Sequence, residues 1–507
     1  MDRAESITTA VSTSEGSSHG PAIPRLPVEV CERIIDYVAA GWDTGYPIAK
    51  GEPHLTTLTS CALVCQDWYF LTWYHLRQRI HLRDRTDVLS LSKTLRAKPR
   101  LREVIQQVVI SGASPGKRQA IPHLGTFAAM LAGKAPRLSR ITIEDAEWTI
   151  GSVRMEDIGF LGVFSYIDTL NISKVTLSSV AQLSHLVSAL PRLRKLWCFE
   201  VDCLQKQHVS PASLPLNCAN LEHLDVRWVA PAVEDVFVHI SRASRVRILE
   251  LGVPNEVNAS SAASRSQTML DASSTSAELV QLHIALSSPV RDDAIDATVE
   301  RHCNLSHHDH LRRLDIHLWY PFADWLWIPH ILSRIVSKHF QAMAIVLYLL
   351  IDQMAEDLDG LLTTMEQDDV LVRLDYTLQE KRFSGTIASR GFCIGIHDEE
   401  TLWMSGTELS GMGSAKRERY DRWDELVRRK MPHSHGRGIL RYVVLWSWSN
   451  REGKLRVPRS TVHNFLEFIS WIQDMEEIHR QSMQAEQKNT AGEDAHPLAK
   501  GPQGSTD

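Results

Sequence analysis

The chain predicts an α/β fold: a small helical unit near the front, then an irregular array of strand-and-helix units closed by a terminal helix. Three observations predict it. Two amphipathic segments, Ile23–Val38 and Leu63–Trp68, lie next to a polar N-terminal stretch. Past residue 100 an apolar pattern of the form Leu-x-x-Leu-x-Ile recurs at intervals of 25 to 33 residues. After Pro458, apolar residues return at helical spacing. With 507 residues the chain exceeds one compact core, so several units or one long array are expected.

Composition narrows the function classes. Hydrophobic residues make up 43% and charged ones 23%, ordinary for a globular protein without a membrane role. A net charge of -6 gives no electrostatic case for nucleic acid. The most apolar run, Ala342–Ile351, is far shorter than the roughly 18 residues a span requires. The eight cysteines have no framework spacing and residues 1–22 do not resemble a signal peptide. Reduced thiols and a cytoplasmic or nuclear location are expected.

Residues 1–22, rich in Ser, Thr and Gly, predict a disordered arm. A first helix is expected from about Pro27, whose fixed φ suits a first helical position, with Glu29 near the positive end of the dipole. Val30, Ile34 and Val38 form its apolar stripe, Cys31 and Ile35 widen it, and Gly41 closes it. A connection from Trp42 to Thr57 precedes a second helix over about Leu58–Leu76, with Cys61, Val64, Cys65, Trp68 and Thr72 on one face. Leu63, Phe70 and Leu71 fall off that stripe, and apolar excess on a short helical pair calls for a second partner.

Here the residues carry a resemblance. Leu26-Pro27-x-Glu29-Val30, Ile34-Ile35 and Val64-Cys65-x-x-Trp68 resemble the F-box motif, and Tyr74-His75-Leu76 with Ile80-His81-Leu82 resembles its continuation in fungal F-box proteins. The likeness covers residues 24–82, within a domain placed at 23–84, and the 42–57 connection is longer than the family's usual link. It implies docking on a Skp-family adaptor and, through it, on a cullin. Carried onto matching positions, it assigns Leu26, Pro27, Ile34, Ile35, Val64, Cys65 and Trp68 to docking or to the small core behind it. For Ile34, Val64 and Trp68, direct contact and internal packing remain open; Leu26 and Pro27 precede the helix and favour contact.

The body is expected over 85–457. Its units start at Ile105, Leu138, Ile167, Leu193, Leu221, Val246, Leu279 and Leu311, with weaker ones at Met343 and Leu371 and a last strand over Leu440–Trp448. The closing apolar pair of each unit alternates as a strand does, its polar partner facing outward. Helical stretches such as Ser178–Leu190 and Val233–Ile240 lie between. One strand and one helix cannot bury their own apolar face, so stacking is the expected solution. The pattern is similar to an irregular leucine-rich-repeat solenoid. Loop insertions are expected near 258–278 and 384–416, a capping helix over 458–482, and a disordered tail over 483–507.

Signatures of chemistry are weak. Gly112-Ala-Ser-Pro-Gly116-Lys117-Arg118 is one residue short of a phosphate loop and has Arg118 where a hydroxyl belongs, so it reads as a turn. His302, Cys303, His307, His308 and His310 lack a partner pair at zinc spacing and read as solvent-side histidines. Cys61 and Cys65 read as a packed thiol pair. No catalytic residue, metal or cofactor is assigned. The resemblance therefore implies a non-catalytic substrate-recognition subunit of a Skp/cullin/F-box ubiquitin ligase, binding an unknown protein target through its body. The alternatives are a non-degradative repeat scaffold and a hydrolase with an unrecognised site.

Overall fold

The computed structural model describes residues 27–42, 53–114, 117–148, 153–205, 218–253, 264–284, 295–319, 325–349, 354–380, 383, 392–398, 418, 422–437 and 440–444. The expected arm at 1–22, capping helix and tail lie outside them. The chain divides into two compact units, Met1–Arg77 and Gln78–Asp507.

The first unit holds three helices: α1 (Val28–Trp42), α2 (Pro53–Cys61) and α3 (Gln66–Gln78). α1 carries Gly41 inside it. The single helix expected over 58–76 is broken. Backbone bonds from Leu63 N to Ser60 O (3.0 Å) and from Val64 N to Cys61 O (3.1 Å) tighten the chain into a turn before α3 restarts. Ile35 and Leu58 are fully buried at the centre, and Val38, Ala39, Trp68, Leu71 and Leu76 pack on them. His75 Nε2 lies 2.9 Å from Asp36 Oδ1, tying α3 to α1.

The second unit is built on one parallel sheet of fourteen strands, in which each main strand pairs with the next in sequence. They are β1 (Arg79–Leu82), β2 (Gln107–Ser111), β3 (Gln119–Ala120), β4 (Arg140–Glu147), β5 (Thr169–Leu177), β6 (Lys195–Phe199), β7 (Asp202–Cys203), β8 (His223–Arg227), β9 (Ile248–Val253), β10 (Leu279–Ile284), β11 (Arg313–Trp319), β12 (Ala342–Leu349), β13 (Phe392–Asp398) and β14 (Leu440–Val444). The short β3 and β7 pair aside, with β4 and β5. A crossover between each pair of parallel neighbours is required, and helices supply most of them. Among the described residues they include α4 (Arg85–Ala97), α5 (His123–Leu131), α6 (Met155–Gly159), α7 (Val180–Ser188), α8 (Pro231–Ala243), α9 (Arg265–Ser273), α10 (Ile295–His302), α11 (Trp327–Ser333), α12 (Met354–Gln367), α13 (Val370–Leu378) and α14 (Pro432–Gly436).

The recurring apolar positions are the ones that stack. Ile141, Leu170, Leu196, Leu224 and Leu249 align rung to rung and are fully buried. The frame of two units shifts. Val280 pairs with Leu249 and Met343 with Leu314, so the repeats read Ala277-x-x-Val280-x-Leu282 and Phe340-x-x-Met343-x-Ile345. Small or aromatic side chains at Ala277 and Phe340, both buried, hid that frame. The unit expected at Leu371 is the helix α13, and the insertion expected at 258–278 contains α9, whose Met269 and Leu270 are buried. β13 runs through the expected loop at 384–416. The polar partners of the strands do not all face water either: Thr142, Asn171, Asp225, Glu250 and Asp315 are buried.

Just before each strand one carbonyl accepts two N–H groups from the next rung. Asp168 O takes Arg194 N and Lys195 N at 2.8 and 2.9 Å, and Glu222 O takes Arg247 N and Ile248 N at 2.7 and 3.0 Å. The side chains of these linking residues alternate in sign along the stack: Asp168, Arg194, Glu222, Arg247, Glu278, Arg312. Arg194 Nη2 reaches both Glu222 oxygens at 2.7 Å, and Arg247 meets Glu278 at 3.1 Å.

Candidate functional site

Two places in the molecule concentrate side chains that packing alone does not explain. The first is the surface of the helical unit. α1 bears two apolar stripes. Cys31, Ile35, Val38 and Ala39 turn inward, while Val30, Ile34 and Tyr37, following Pro27, recur at helical spacing on another side and stay exposed. α3 repeats the arrangement: Trp68, Leu71, Thr72 and Leu76 are covered, whereas Phe70 and Tyr74 are open to solvent. The turn between α2 and α3 exposes Leu63 to 84% and Val64 to 63%, far more apolar surface than such a turn needs.

The residues singled out from sequence therefore separate by environment. Pro27, Ile34, Val64 and Cys65 are exposed, Ile35 is fully buried, and Trp68 is half-buried against it. Leu26 lies outside the described residues. Cys61 is buried and Cys65 exposed, so the expected thiol pair is not formed: the turn at 62–64 parts them onto different sides. Tyr37 and Tyr69 carry no signal in the sequence, because an exposed aromatic on a short helix reads there like any core aromatic; Tyr74 enters only within the F-box-like continuation.

The second place is a polar network on the strand face of the body, which sequence reasoning missed. His223 Nε2 lies 2.8 Å from Glu250 Oε1, and Arg227 Nε donates to Asp225 Oδ1 at 2.6 Å. His283 and His317 stack with centroids 4.3 Å apart, and His317 Nδ1 is 3.0 Å from the Tyr348 hydroxyl. Phe199 and Trp228 lie over this face, their rings 5.1 Å apart, with Trp228 6.2 Å from His283. Gly252 makes room for them: a Cβ there would sit 3.1 Å from Arg227 Cα and Trp228 N. Burial pushes the Asp225 carboxyl up to about 7, reinforced by Glu250 and opposed by Arg227. Burial acts in the same sense on Glu250, but the His223 hydrogen bond and nearby cations hold it well below the usual carboxylate range. Burial lowers His283 to about 4. The Asp225 and Glu250 carboxylates thus find cationic or hydrogen-bonding partners inside the network, which ties neighbouring rungs together.

The remaining sequence candidates resolve locally. Arg118 bonds to Asp202 and, at 2.9 Å, to Thr176 Oγ1, bracing the edge strands β3 and β7. His302, Cys303 and His308 are buried rather than solvent-side, because the chain after α10 packs inward; His307 and His310 are exposed. Among the described residues no group of three or more His, Cys, Asp or Glu could hold a metal, and no helix is long and apolar enough to cross a membrane.

No family model and no curated protein matches this chain.

Proposed function

We propose that the chain is the substrate-recognition subunit of a Skp/cullin/F-box ubiquitin ligase, docking its adaptor through the helical unit and its target through the repeat body. The observation that carries this reading is the double face of the first unit. Its small core is satisfied by Ile35, Leu58 and Trp68, yet Pro27, Val30, Ile34, Val64 and Phe70 remain exposed at the positions, or beside them, where the F-box resemblance puts the adaptor. Burying such side chains against a partner is worth about 25 cal/mol per Å² before association entropy is subtracted. The role needs no bond chemistry, since holding a target beside a transferring enzyme raises its effective concentration.

Retention on a recombinant Skp adaptor tests the proposal. The full chain is expected to be pulled down, and a variant carrying L26A and P27A, or one carrying I34D and V64D, is expected to lose at least tenfold in affinity with its circular dichroism unchanged. Undiminished retention of both variants sinks the assignment.

A further inference from the structure

Three residues ahead of most strands the chain makes a tight turn, and the strand register stacks the positions three residues ahead into a row along the edge of the sheet. Counting back from the aligned positions Arg140, Thr169, Lys195, His223, Ile248 and Leu279 gives Arg137, Tyr166, Arg192, Asn220, Arg245 and Ser276. A cation thus stands on every second rung. All but Ser276 are exposed, and the row continues to the stacked pair His310 and His339.

The rungs between the arginines are neutral and fixed. Asn220 Nδ2 donates to Pro191 O at 3.3 Å and Ser276 Oγ to Val246 O at 2.8 Å, each reaching back to the preceding rung. Tyr166 is 58% exposed, with the Arg192 guanidinium 5.4 Å from its ring centroid. The next row inward is self-neutralised by the alternating ladder, so the uncompensated charge belongs to the outer row. Among the described residues Arg192 and Arg245 have no acidic partner, and Arg137 has Glu103 at 3.3 Å. At that end a hollow of about 520 Å³ opens between Glu103, Gln106, Pro136, Arg137, Ser139 and Tyr166.

We infer that this strand-entry edge is a docking surface for an extended acidic polypeptide segment lying across the rungs. Parallel strands are about 4.8 Å apart, so alternate rungs lie about 9.6 Å apart, and one three-residue turn of a polyproline II segment rises about 9.3 Å and returns its side chains to the same face. An acidic side chain at every third position therefore meets Arg137, Arg192 and Arg245 in turn, while its neutral residues cross Tyr166 and Asn220. A nucleic-acid backbone fits less well, because its continuous charge would find no cation on the rungs of Tyr166 and Asn220. This surface belongs to the body alone and does not depend on adaptor docking.

Fluorescence anisotropy on the full chain tests the inference with five labelled probes: a peptide with Glu at every third position among Gly and Ser, the same composition with its Glu residues contiguous, a Gln version, a Lys version, and a single-stranded oligonucleotide. The spaced acidic peptide is expected to bind best and to weaken with salt. The variant carrying R137S, R192S and R245S should weaken it about tenfold with an unchanged melting curve, since each exposed ion pair contributes modestly. Charge reversal, R192E with R245E, should transfer preference to a Lys peptide of the same spacing. Equal binding of the Gln or contiguous peptide, tighter binding of the oligonucleotide, or no loss in the triple variant overturns it.

Discussion

Lys174 has φ +54°, in the left-handed region that a side chain ordinarily avoids. It is not alone: Asp145, Glu200 and Trp228 share that conformation, and the strand register puts the four on consecutive rungs. The kink recurs because each strand must bend at the same place to stay paired, and at Trp228 the bend lays the ring beside His283. Left-handed φ costs a non-glycine residue about 1–2 kcal/mol, partly offset in glycine by the entropy of the unfolded chain. Lys174→Gly is therefore expected to raise unfolding stability by roughly 0.5–1 kcal/mol in urea titration. A loss of stability would mean that the Lys174 stem packs more tightly than its half-buried position indicates.

At the scale of elements, the two units rest on very different cores. The helical unit centres on two fully buried side chains, Ile35 and Leu58, with Val38, Ala39, Trp68, Leu71 and Leu76 half-covered around them. The body stacks an apolar triplet on every rung and closes its strand ends with paired backbone bonds. Leu58→Ala is expected to remove about 2–4 kcal/mol by loss of burial and by the cavity left behind. Hydrogen exchange is the measurement: amides of α1 and α3 should lose protection in this variant, while those of β4 to β6 keep theirs, as expected of separate cooperative units. Equal loss in both would show the two to unfold as one. α7 illustrates how local signals support the body: Gln182 Oε1 accepts the Ser178 amide at 3.0 Å, closing the helix start that its Ser-Ser-Val opening suggests.

Over the whole molecule, buried ionisable groups pull stability in opposite directions with pH. His283 and His308 are lowered by burial to about 4, below their unfolded value, so the folded state loses stability as pH falls from about 6.5 to 4. Asp225 and Glu234 are raised by burial to about 7; protonating them relieves the folded state as pH falls through 7. The two effects offset each other in the native chain. Among the described residues neither ring nitrogen of His308 has a hydrogen-bond partner, so replacing it breaks no bond there. His308→Leu is expected to gain about 3 kcal/mol relative to the native chain between pH 7 and 4, read from chemical denaturation at each pH. A difference that does not change with pH would place the His308 titration near its unfolded value.

How much of this was legible follows from what each pattern encodes. Leu221-x-x-Leu224-x-Val226 announces its strand because the same apolar positions are needed wherever the unit stacks, whereas Ala277 and Phe340 break the visual repeat while occupying the same buried rung. Apolar spacing in 58–76 spoke for one helix; the turn at 62–64 arises from packing Leu58 and Trp68 into one core, which no local spacing contains. Ile34 and Ile35 are adjacent and chemically alike, and only the three-helix arrangement sends one outward and one inward. By itself the sequence determined the α/β class, most strand positions and the region that bears the exposed apolar surface, since these follow from composition and periodicity within short windows. Tertiary structure alone decided the buried His283–Glu250–Asp225 network, the alternating charge ladder and the arginine edge. Those depend on register between residues about thirty apart, and register is set by the stack as a whole rather than by any one of its rungs.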